Sequence, residues 1–284
     1  MDLAEFKLVK NYSYREYCDY LQNKYGLPTV AYFNKNWNKN QKVTRTKEGL
    51  FVHHKYEDTA IKLSDKAIAP QYPYEWQDKE NLVYCDYLEH FFLHILIWFY
   101  PAPDARDVQV GGISIPVAVG ITGAKMIGRQ LNDFYSGWFA SADWMNNCFY
   151  HVRDDEDTYI EIYKYIISKT QPNKVIDMGD KINKEFLKSA SDGWGCWYDR
   201  YDLELYAKIK KVVAESIVKR IINGPRKLSV IRERLGLSME QFAERYKIPL
   251  EVIQNWEQGE EEIPDYIIAL ITQIIKYEIR LNYL

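Results

Sequence analysis

NLVYCDYLEHFFLHILIWFY, residues 81–100, is the stretch of sequence that decides the fold of this part of the chain. It enters as a short extended piece and continues as a strongly apolar run, which predicts a helix that Pro101 and Pro103 stop. His90 and His94 lie four residues apart on this predicted helix. Residues with that spacing share one helix face, so the two imidazoles can hold a cation between them.

A second pair of histidines ends the β-type run GLFVHH, residues 49–54. Neighbouring residues of a strand point to opposite faces, so His53 and His54 are expected to have different tasks: one joins a metal ion and the other faces a substrate. The chain has five histidines, and four of them fall in these two pairs. Because imidazole is a common metal ligand, this clustering indicates a metal site.

The order His-His, a loop, Asn81 and then His-x-x-x-His on a helix resembles the HNH, or ββα-metal, nuclease motif. The spacings of nine from Asn81 to His90 and of four from His90 to His94 match the form seen in colicin-type nuclease domains. The resemblance implies that His53, His90 and His94 hold one divalent cation: Mg²⁺, Mn²⁺ or Zn²⁺. It also implies that His54 is the general base, and that Asn81 bonds to the hairpin backbone and holds His54 in place.

The implied reaction, hydrolysis of a phosphodiester bond, needs such a set of groups. One cation can stabilise both the charge of the pentavalent transition state and the leaving oxygen. A neutral histidine titrates near physiological pH and can accept the proton of the attacking water. The resemblance covers about residues 45–97, roughly a fifth of the chain. The alternatives are a structural zinc site and a site that only binds nucleic acid.

The sequence departs from the commoner HNH pattern in three ways. The interval from His54 to Asn81 is 27 residues, which is long but tolerable because the entropy of loop closure grows slowly with length. No Cys-x-x-Cys pair is present, so no structural zinc is expected. KYEDTAIKLSD follows the His-His pair in place of the usual proline. It contains Glu57 and Asp58, which either contact the metal or one of its histidines, or are solvated loop acids.

Several helices are predicted outside this motif. Residues 12–26 have the pattern of a short amphipathic helix that ends at Gly26, whereas residues 55–80 have no long periodic pattern and are predicted to form a long ordered loop. Further helices are expected from about residue 123 to 222, and Asn223-Gly224-Pro225 marks a stop.

Residues 226–280 have a different pattern, which resembles the Xre/Cro-type helix-turn-helix. Ser238 is a predicted N-cap, with Gln241 at the capping-box position. Trp256-Glu257 and Gly259 match the usual end of the recognition helix in that family, and Pro264 opens the next helix.

The resemblance implies that the first residues of the recognition helix face the major groove of DNA. The exposed candidates are Glu251, Gln254 and Asn255, of which glutamine and asparagine can pair bidentately with adenine. Residues 226–262 contain six basic and eight acidic residues, however, and acidic groups repel phosphate. The alternative is a helical module used for dimerisation or for docking on the nuclease part.

The composition of the chain restricts its class. A net charge of −3 over 284 residues argues against avid non-specific binding of DNA, although it leaves room for a local basic groove. The N-terminal residues contain no apolar signal region, and the longest apolar run, FFLHILIWFYPAP, is too short for a membrane span. A cytoplasmic protein without a membrane partner is therefore expected.

Together these features predict an α+β fold that is predominantly helical, with an embedded ββα-metal core and an all-α helix-turn-helix domain at the C-terminus. The predicted domains are 1–103, which contains the core, a helical middle region 104–223, and 224–284. The predicted function is that of a metal-dependent endonuclease acting on DNA, whose helix-turn-helix serves targeting or self-association as a homodimer. The alternative is a non-catalytic DNA-binding regulator, or a protein-binding inhibitor or adaptor built on a nuclease-like shell. By analogy, such a pairing suits a phage or a bacterial defence system.

Overall fold

A computed structural model of the chain describes residues 1–103, 108–110, 113–115, 120–137, 139–169, 203–222 and 227–283. The described part is mostly helical and contains two small two-stranded sheets, which confirms the predicted α+β, predominantly helical class. The chain divides into two compact units, Met1–Glu161 and Ile162–Leu284. The predicted domain limit after residue 103 stays a prediction, and the predicted stop at 223–225 lies outside the described residues.

The helices of the first unit are α1 (Leu3–Val9), α2 (Tyr14–Tyr25), α3 (Tyr87–Phe99), α4 (Ile121–Tyr135) and α5 (Asp143–Tyr150), and the division between the units falls within α6 (Glu156–Lys169). The strands are β1 (Phe51–His54), β2 (Leu82–Cys85), β3 (Val108–Val110) and β4 (Ile113–Ile115). Short 3-10 turns lie at Gln41–Val43, Thr46–Glu48, Lys55–Asp58, Ala69–Gln71, Tyr74–Gln77 and Lys79–Asn81.

The strands β1 and β2 form an antiparallel pair in which His53 lies opposite Val83 and His54 lies opposite Leu82. The long connection between them is built from 3-10 turns, as the absence of a periodic pattern predicted. The helix α3 begins two residues after β2 ends, so the chain runs strand, loop, strand and helix in immediate succession. The predicted strand and helix around the histidines are thus confirmed.

The N-terminal helices cover α3. The helix α2 begins with a capping box between Ser13 and Glu16 and ends at Gly26, whose φ of 77° favours glycine, so the predicted helix is confirmed. The ring of Phe92 meets Phe6 at 5.2 Å and Tyr17 at 5.3 Å, both edge-on. Edge-on aromatic packing of this kind adds to the stabilisation from buried area. It places the interior face of α3 under α1 and α2.

The beginning of α3 is fixed by charged groups. Asp86 and Glu89 form a capping box, so each carboxylate accepts a backbone N–H of the other residue. Lys24 of α2 donates to Glu5 and to Glu89, both at 2.6 Å, and the ammonium of Met1 pairs with Asp86. Both carboxylates at the start of α3 are completely buried, so these cations compensate the cost of removing them from water.

The second unit contains α7 (Leu203–Ile222), α8 (Leu228–Arg234), α9 (Met239–Tyr246), α10 (Leu250–Gln258) and α11 (Asp265–Tyr283). The helix α7 packs against α8 and α11, and α9 packs against α10. The predicted capping box of Ser238 and Gln241 is present, and Gly259 ends α10 in the left-handed conformation with a φ of 79°. Across the described ranges, no helix combines the length and the apolar character that a membrane crossing needs.

Candidate metal centre

Three histidines from two elements converge in the first unit. His53 of β1 and His90 and His94 of α3 each offer one ligand atom, and these atoms all lie within 4.8 Å of one another. The Nε2 atoms of His90 and His94 are 3.2 Å apart, as their spacing on one helix face predicted. The ring of His53 meets the rings of His90 and His94 at 5.3 and 5.2 Å. The strand and the helix therefore bring together the three residues proposed as ligands.

His53 and His54 point to opposite sides of β1, as the strand geometry predicted. His53 faces α3, whereas the ring of His54 packs edge-on against Tyr32 at 4.7 Å. Both side chains are completely buried.

A tyrosine that the sequence analysis missed fixes His53. The hydroxyl of Tyr14 lies 2.9 Å from His53 Nε2 and 3.2 Å from the carbonyl oxygen of His54. A carbonyl can only accept, so both contacts are satisfied when the hydroxyl donates to the carbonyl and His53 Nε2 donates to the hydroxyl. His53 Nδ1 then carries the lone pair, and this buried atom has no hydrogen-bond partner.

A glutamine fixes His54 in the same manner. Gln77 is completely buried; its Nε2 donates to the Leu63 carbonyl at 3.2 Å and its Oε1 lies 3.0 Å from His54 Nε2. Because an amide oxygen can only accept, His54 Nε2 carries the hydrogen and Nδ1 carries the lone pair. His54 Nδ1 is also buried without a hydrogen-bond partner.

The two acidic candidates after the histidine pair differ in what they face. Glu57 Oε2 lies 3.5 Å from His53 Nδ1 and 3.5 Å from His94 Nε2, and Glu57 Oε1 lies 3.8 Å from His54 Nδ1. Asp58 instead pairs with Arg15 at 2.8 Å and accepts from the Thr59 hydroxyl. Glu57 therefore belongs to the histidine cluster, and Asp58 belongs to the packing of α2 on this loop.

The protonation states favour binding of a cation. Burial lowers the pKa of His53 to about 3, and it also lowers the pKa values of His90 and His94, so all three rings are neutral at neutral pH. Burial acts to raise the pKa of Glu57, and attraction to the protonated forms of His53, His54 and His94 outweighs burial, so that this pKa lies below its ordinary value. The cluster thus presents neutral nitrogen donors and one carboxylate, which is the form in which these groups bind metal.

A glycine of α4 brings the backbone of that helix against His94. A Cβ built on Gly123 would lie 2.4 Å from His94 Cε1 and 2.4 Å from His94 Nδ1. Any larger residue at this position would displace the ring. The glycine at position 123 therefore leaves the space that the His94 ring occupies beside α4. His94 Nδ1 is another buried nitrogen without a hydrogen-bond partner.

Asn81 lies at the end of a 3-10 turn, just before β2. Its amide donates to the carbonyl of Glu75 at 2.7 Å, within the loop between the strands. The described contacts of the His54 side chain are with Gln77, Tyr32 and Glu57. The role that the resemblance implies for Asn81, positioning His54, stays a prediction; in the structure the amide that contacts His54 belongs to Gln77.

The cluster fits a divalent cation. Buried lone pairs without partners are rare in proteins and call for a proton, a water or an ion. Here one occurs at His53 Nδ1, on a ring whose other nitrogen is held by Tyr14. Ligating histidines commonly donate their second nitrogen to a neighbouring group, which orients the ring. His53 has this arrangement.

The candidate DNA-contacting residues lie on α10 of the second unit. Glu251 is exposed, and Gln254 and Asn255 are half-buried. Glu257 of the same helix forms a bidentate ion pair with Arg232 of α8, at 2.7 and 2.8 Å. This ion pair connects the C-terminal end of α10 to α8.

A scan against protein-family models and searches of curated proteins and of solved structures found no match to this chain. A functional assignment therefore depends on the chemistry of the cluster itself.

Proposed function

We propose that the protein is a metal-dependent endonuclease of the HNH, or ββα-metal, type, which hydrolyses phosphodiester bonds of DNA. The observation that carries the proposal is the convergence of His53, His90 and His94 on a strand pair and the helix that directly follows it. In this proposal His53, His90 and His94 hold one divalent cation. When bound, the ion would supply charge stabilisation for the phosphorane-like transition state and for the leaving oxygen.

His54 is the general base in this proposal. Its Nε2 donates to Gln77, which leaves the Nδ1 lone pair on the side of Glu57 and the cluster. A neutral imidazole with one nitrogen held by an amide oxygen accepts a proton at the other nitrogen. The proton of the attacking water would therefore move to His54 Nδ1, and Gln77 would keep the ring in the required tautomer.

A basic segment beside the cluster supports a polyanionic substrate. Residues 30–47 contain five basic residues and no acidic one, in a chain whose net charge is −3. Within this segment Lys39 lies over the ring of Tyr32, and Tyr32 packs on His54. One aromatic ring therefore separates the lysine ammonium from the proposed base. Positive charge at this place would attract the phosphates of a nucleic acid.

The test of the proposed function is cleavage of supercoiled plasmid DNA by the purified full chain with Mn²⁺, Mg²⁺ or Zn²⁺. We expect nicking or linearisation by the wild type and loss of activity in His54→Ala, while metal content and the circular dichroism spectrum stay unchanged. His151→Ala, which replaces an exposed histidine outside the cluster, is the control and keeps activity. Equal inactivity of wild type and His54→Ala on plasmid, single-stranded DNA and RNA would refute the proposal.

For the helix-turn-helix, one observation favours self-association over reading of DNA. Large apolar residues on α11 are 43–66% exposed and follow one another at intervals of four, four, three and four residues: Tyr266, Leu270, Ile274, Tyr277 and Leu281. Intervals of three and four residues place these side chains along one face of the helix, which is how a helix packs against a second helix. The excess of acidic residues in 226–262 acts against contact with phosphate.

We therefore propose a homodimer in which α11 packs against α11 of a second copy. Light scattering coupled to gel filtration tests this. The wild type is expected to elute as a dimer and Leu270→Glu as a monomer, whereas Glu251→Ala on α10 stays dimeric. A monomeric wild type would contradict self-association and return α10, with Gln254 and Asn255, to the role of a DNA-contacting helix.

A further inference from the structure

The carboxylate of Glu57 lies beside two of the three histidines of the site. Its Oε2 atom is 3.5 Å from His53 Nδ1 and 3.5 Å from His94 Nε2, and His94 Nε2 is 3.2 Å from His90 Nε2. For an ion bound tetrahedrally at about 2.0–2.2 Å, neighbouring donor atoms lie about 3.3–3.6 Å apart. Three consecutive separations along the series His53, Glu57, His94 and His90 agree with the edges of such a tetrahedron.

The contact between Glu57 and His53 is not a hydrogen bond. Tyr14 occupies His53 Nε2, so the atom that faces the carboxylate is Nδ1 with its lone pair. Two acceptors that face each other at 3.5 Å share no hydrogen, and a positively charged particle between them removes the repulsion.

The neighbouring acid has a different partner. Asp58 is paired with Arg15, whose guanidinium also lies over the ring of Tyr56. Among the described residues, every ion-pair partner of Glu57 is a histidine. Glu57 is 16% exposed, so this carboxylate is removed from most of the solvent without a lysine or arginine in the described ranges to compensate it.

We propose that Glu57 is the fourth ligand, so that the site binds its ion through three imidazoles and one carboxylate and expands to five-coordination when a phosphate oxygen binds. This assignment rests on the metal site proposed above and adds the class of metal that the site selects. Three nitrogen donors suit Zn²⁺ and other first-row transition ions, whereas Mg²⁺ prefers oxygen donors and keeps several waters. The site is therefore expected to take Zn²⁺, Co²⁺ or Mn²⁺ in preference to Mg²⁺.

The experiment measures Zn²⁺ affinity of the full chain by chelator competition, together with the visible spectrum of the Co²⁺-loaded protein. Wild type is expected to give the intense absorption of tetrahedral Co²⁺. Glu57→Gln keeps the size of the side chain and removes its charge, so we expect a loss of Zn²⁺ affinity of about 100-fold or more, beyond the effect of groups that only support ligands. Glu80→Gln, at an exposed acid of the same loop, is the matched control and leaves both measurements unchanged.

A second variant keeps the test valid if Glu57→Gln folds poorly. Glu57→Asp retains the charge and shortens its reach by one methylene, so it is expected to bind Zn²⁺ with lowered affinity and an altered Co²⁺ spectrum. Wild-type affinity and an unchanged spectrum in both variants would overturn the assignment of Glu57 and leave the three-histidine site in place. Tighter binding of Mg²⁺ than of Zn²⁺ by the wild type would overturn the selected metal class. Absence of binding of any of these ions by the wild type would refute the metal site itself.

Discussion

The histidine cluster of the first unit and the helices α8–α10 of the second differ in how their buried polar groups are paired. Around the histidines, Nδ1 atoms of His53, His54 and His94 are buried without hydrogen-bond partners. In α8–α10 polar groups are paired with one another: Arg232 forms an ion pair with Glu257, and Ser238 and Gln241 form a capping box. Since unpaired buried groups cost free energy, the first arrangement implies a missing partner and the second implies none.

The difference extends to what each region needs in order to fold. The site in the first unit requires residues from α2, β1, the loop, α3 and α4 to meet at one place. The helices α8–α10 have few completely buried side chains among their described residues, such as Phe242 and Ile253. Changes at the first are expected to alter binding and chemistry, and changes in the packing of α8–α10 to alter stability.

The largest expected effect is on metal content. His94→Ala removes one ligand and leaves a cavity beside Gly123, so Zn²⁺ affinity is expected to fall by more than about 100-fold. Metal analysis after dialysis measures it. His151→Ala is the matched control, because it removes the one histidine outside the cluster. A full complement of Zn²⁺ in His94→Ala would show that the buried lone pairs have a different purpose.

A smaller effect is expected from the amide that holds His54. Gln77→Leu removes the acceptor for His54 Nε2, so the ring can rotate or change tautomer, and the cleavage rate is expected to fall about 10–100-fold with metal content unchanged. Asn81→Ala is the informative comparison. A greater loss for Asn81→Ala than for Gln77→Leu would assign the positioning of His54 to Asn81, as the HNH resemblance implies.

In the second unit the largest effect is expected at the ion pair. The side chains of Arg232 and Glu257 are 13% and 11% exposed. Arg232→Ala leaves a largely buried carboxylate without its partner and is expected to lower the free energy of unfolding of this unit by about 1.5–3 kcal/mol. Urea denaturation followed by far-ultraviolet circular dichroism measures it. Zn²⁺ affinity should not change; a joint loss of stability and metal affinity would contradict the separation of the two regions.

The smallest effect is expected at the helix cap. Ser238→Ala removes the acceptor for the backbone N–H of Gln241 and is expected to cost about 1 kcal/mol. Ser229→Ala, inside α8, is the control and should be neutral or slightly stabilising, because alanine has the higher helix propensity. The same urea titration compares the two. A larger cost at Ser229 than at Ser238 would mean that the cap is not formed in solution.

Local patterns predicted the parts of the fold that depend on near neighbours. The periodicity of residues 81–100, the β-type run before His54, the end of α2 at Gly26 and the cap at Ser238 are all confirmed by the structure. In each case the signal lies within a few residues, because helix caps and hydrophobic periodicity are properties of short segments. The spacing of His90 and His94 belongs to the same class.

The partners of the histidines were not predictable in this way. Tyr14 is 39 residues from His53, and Gln77 is 23 residues from His54, in a loop without a periodic pattern. Nothing in the local sequence of either residue distinguishes it from the other tyrosines and glutamines of the chain. Their positions follow from the packing of α2 on β2 and from the path of the loop, which only the tertiary structure fixes.

The proposed ion site also bears on how easily a protease cuts the loop between β1 and β2. Proposed ligands lie before and after this loop, so a bound ion would connect its two ends as a cross-link does. The ion would therefore reduce the population of the form in which the loop is locally unfolded. Lys62, Lys66 and Lys79 are exposed on it and are points at which trypsin can cut. The resistance of this segment to proteolysis would then increase when the ion binds and decrease when it is removed. The digestion pattern on a gel would thus measure the metal occupancy of the site, even in crude samples.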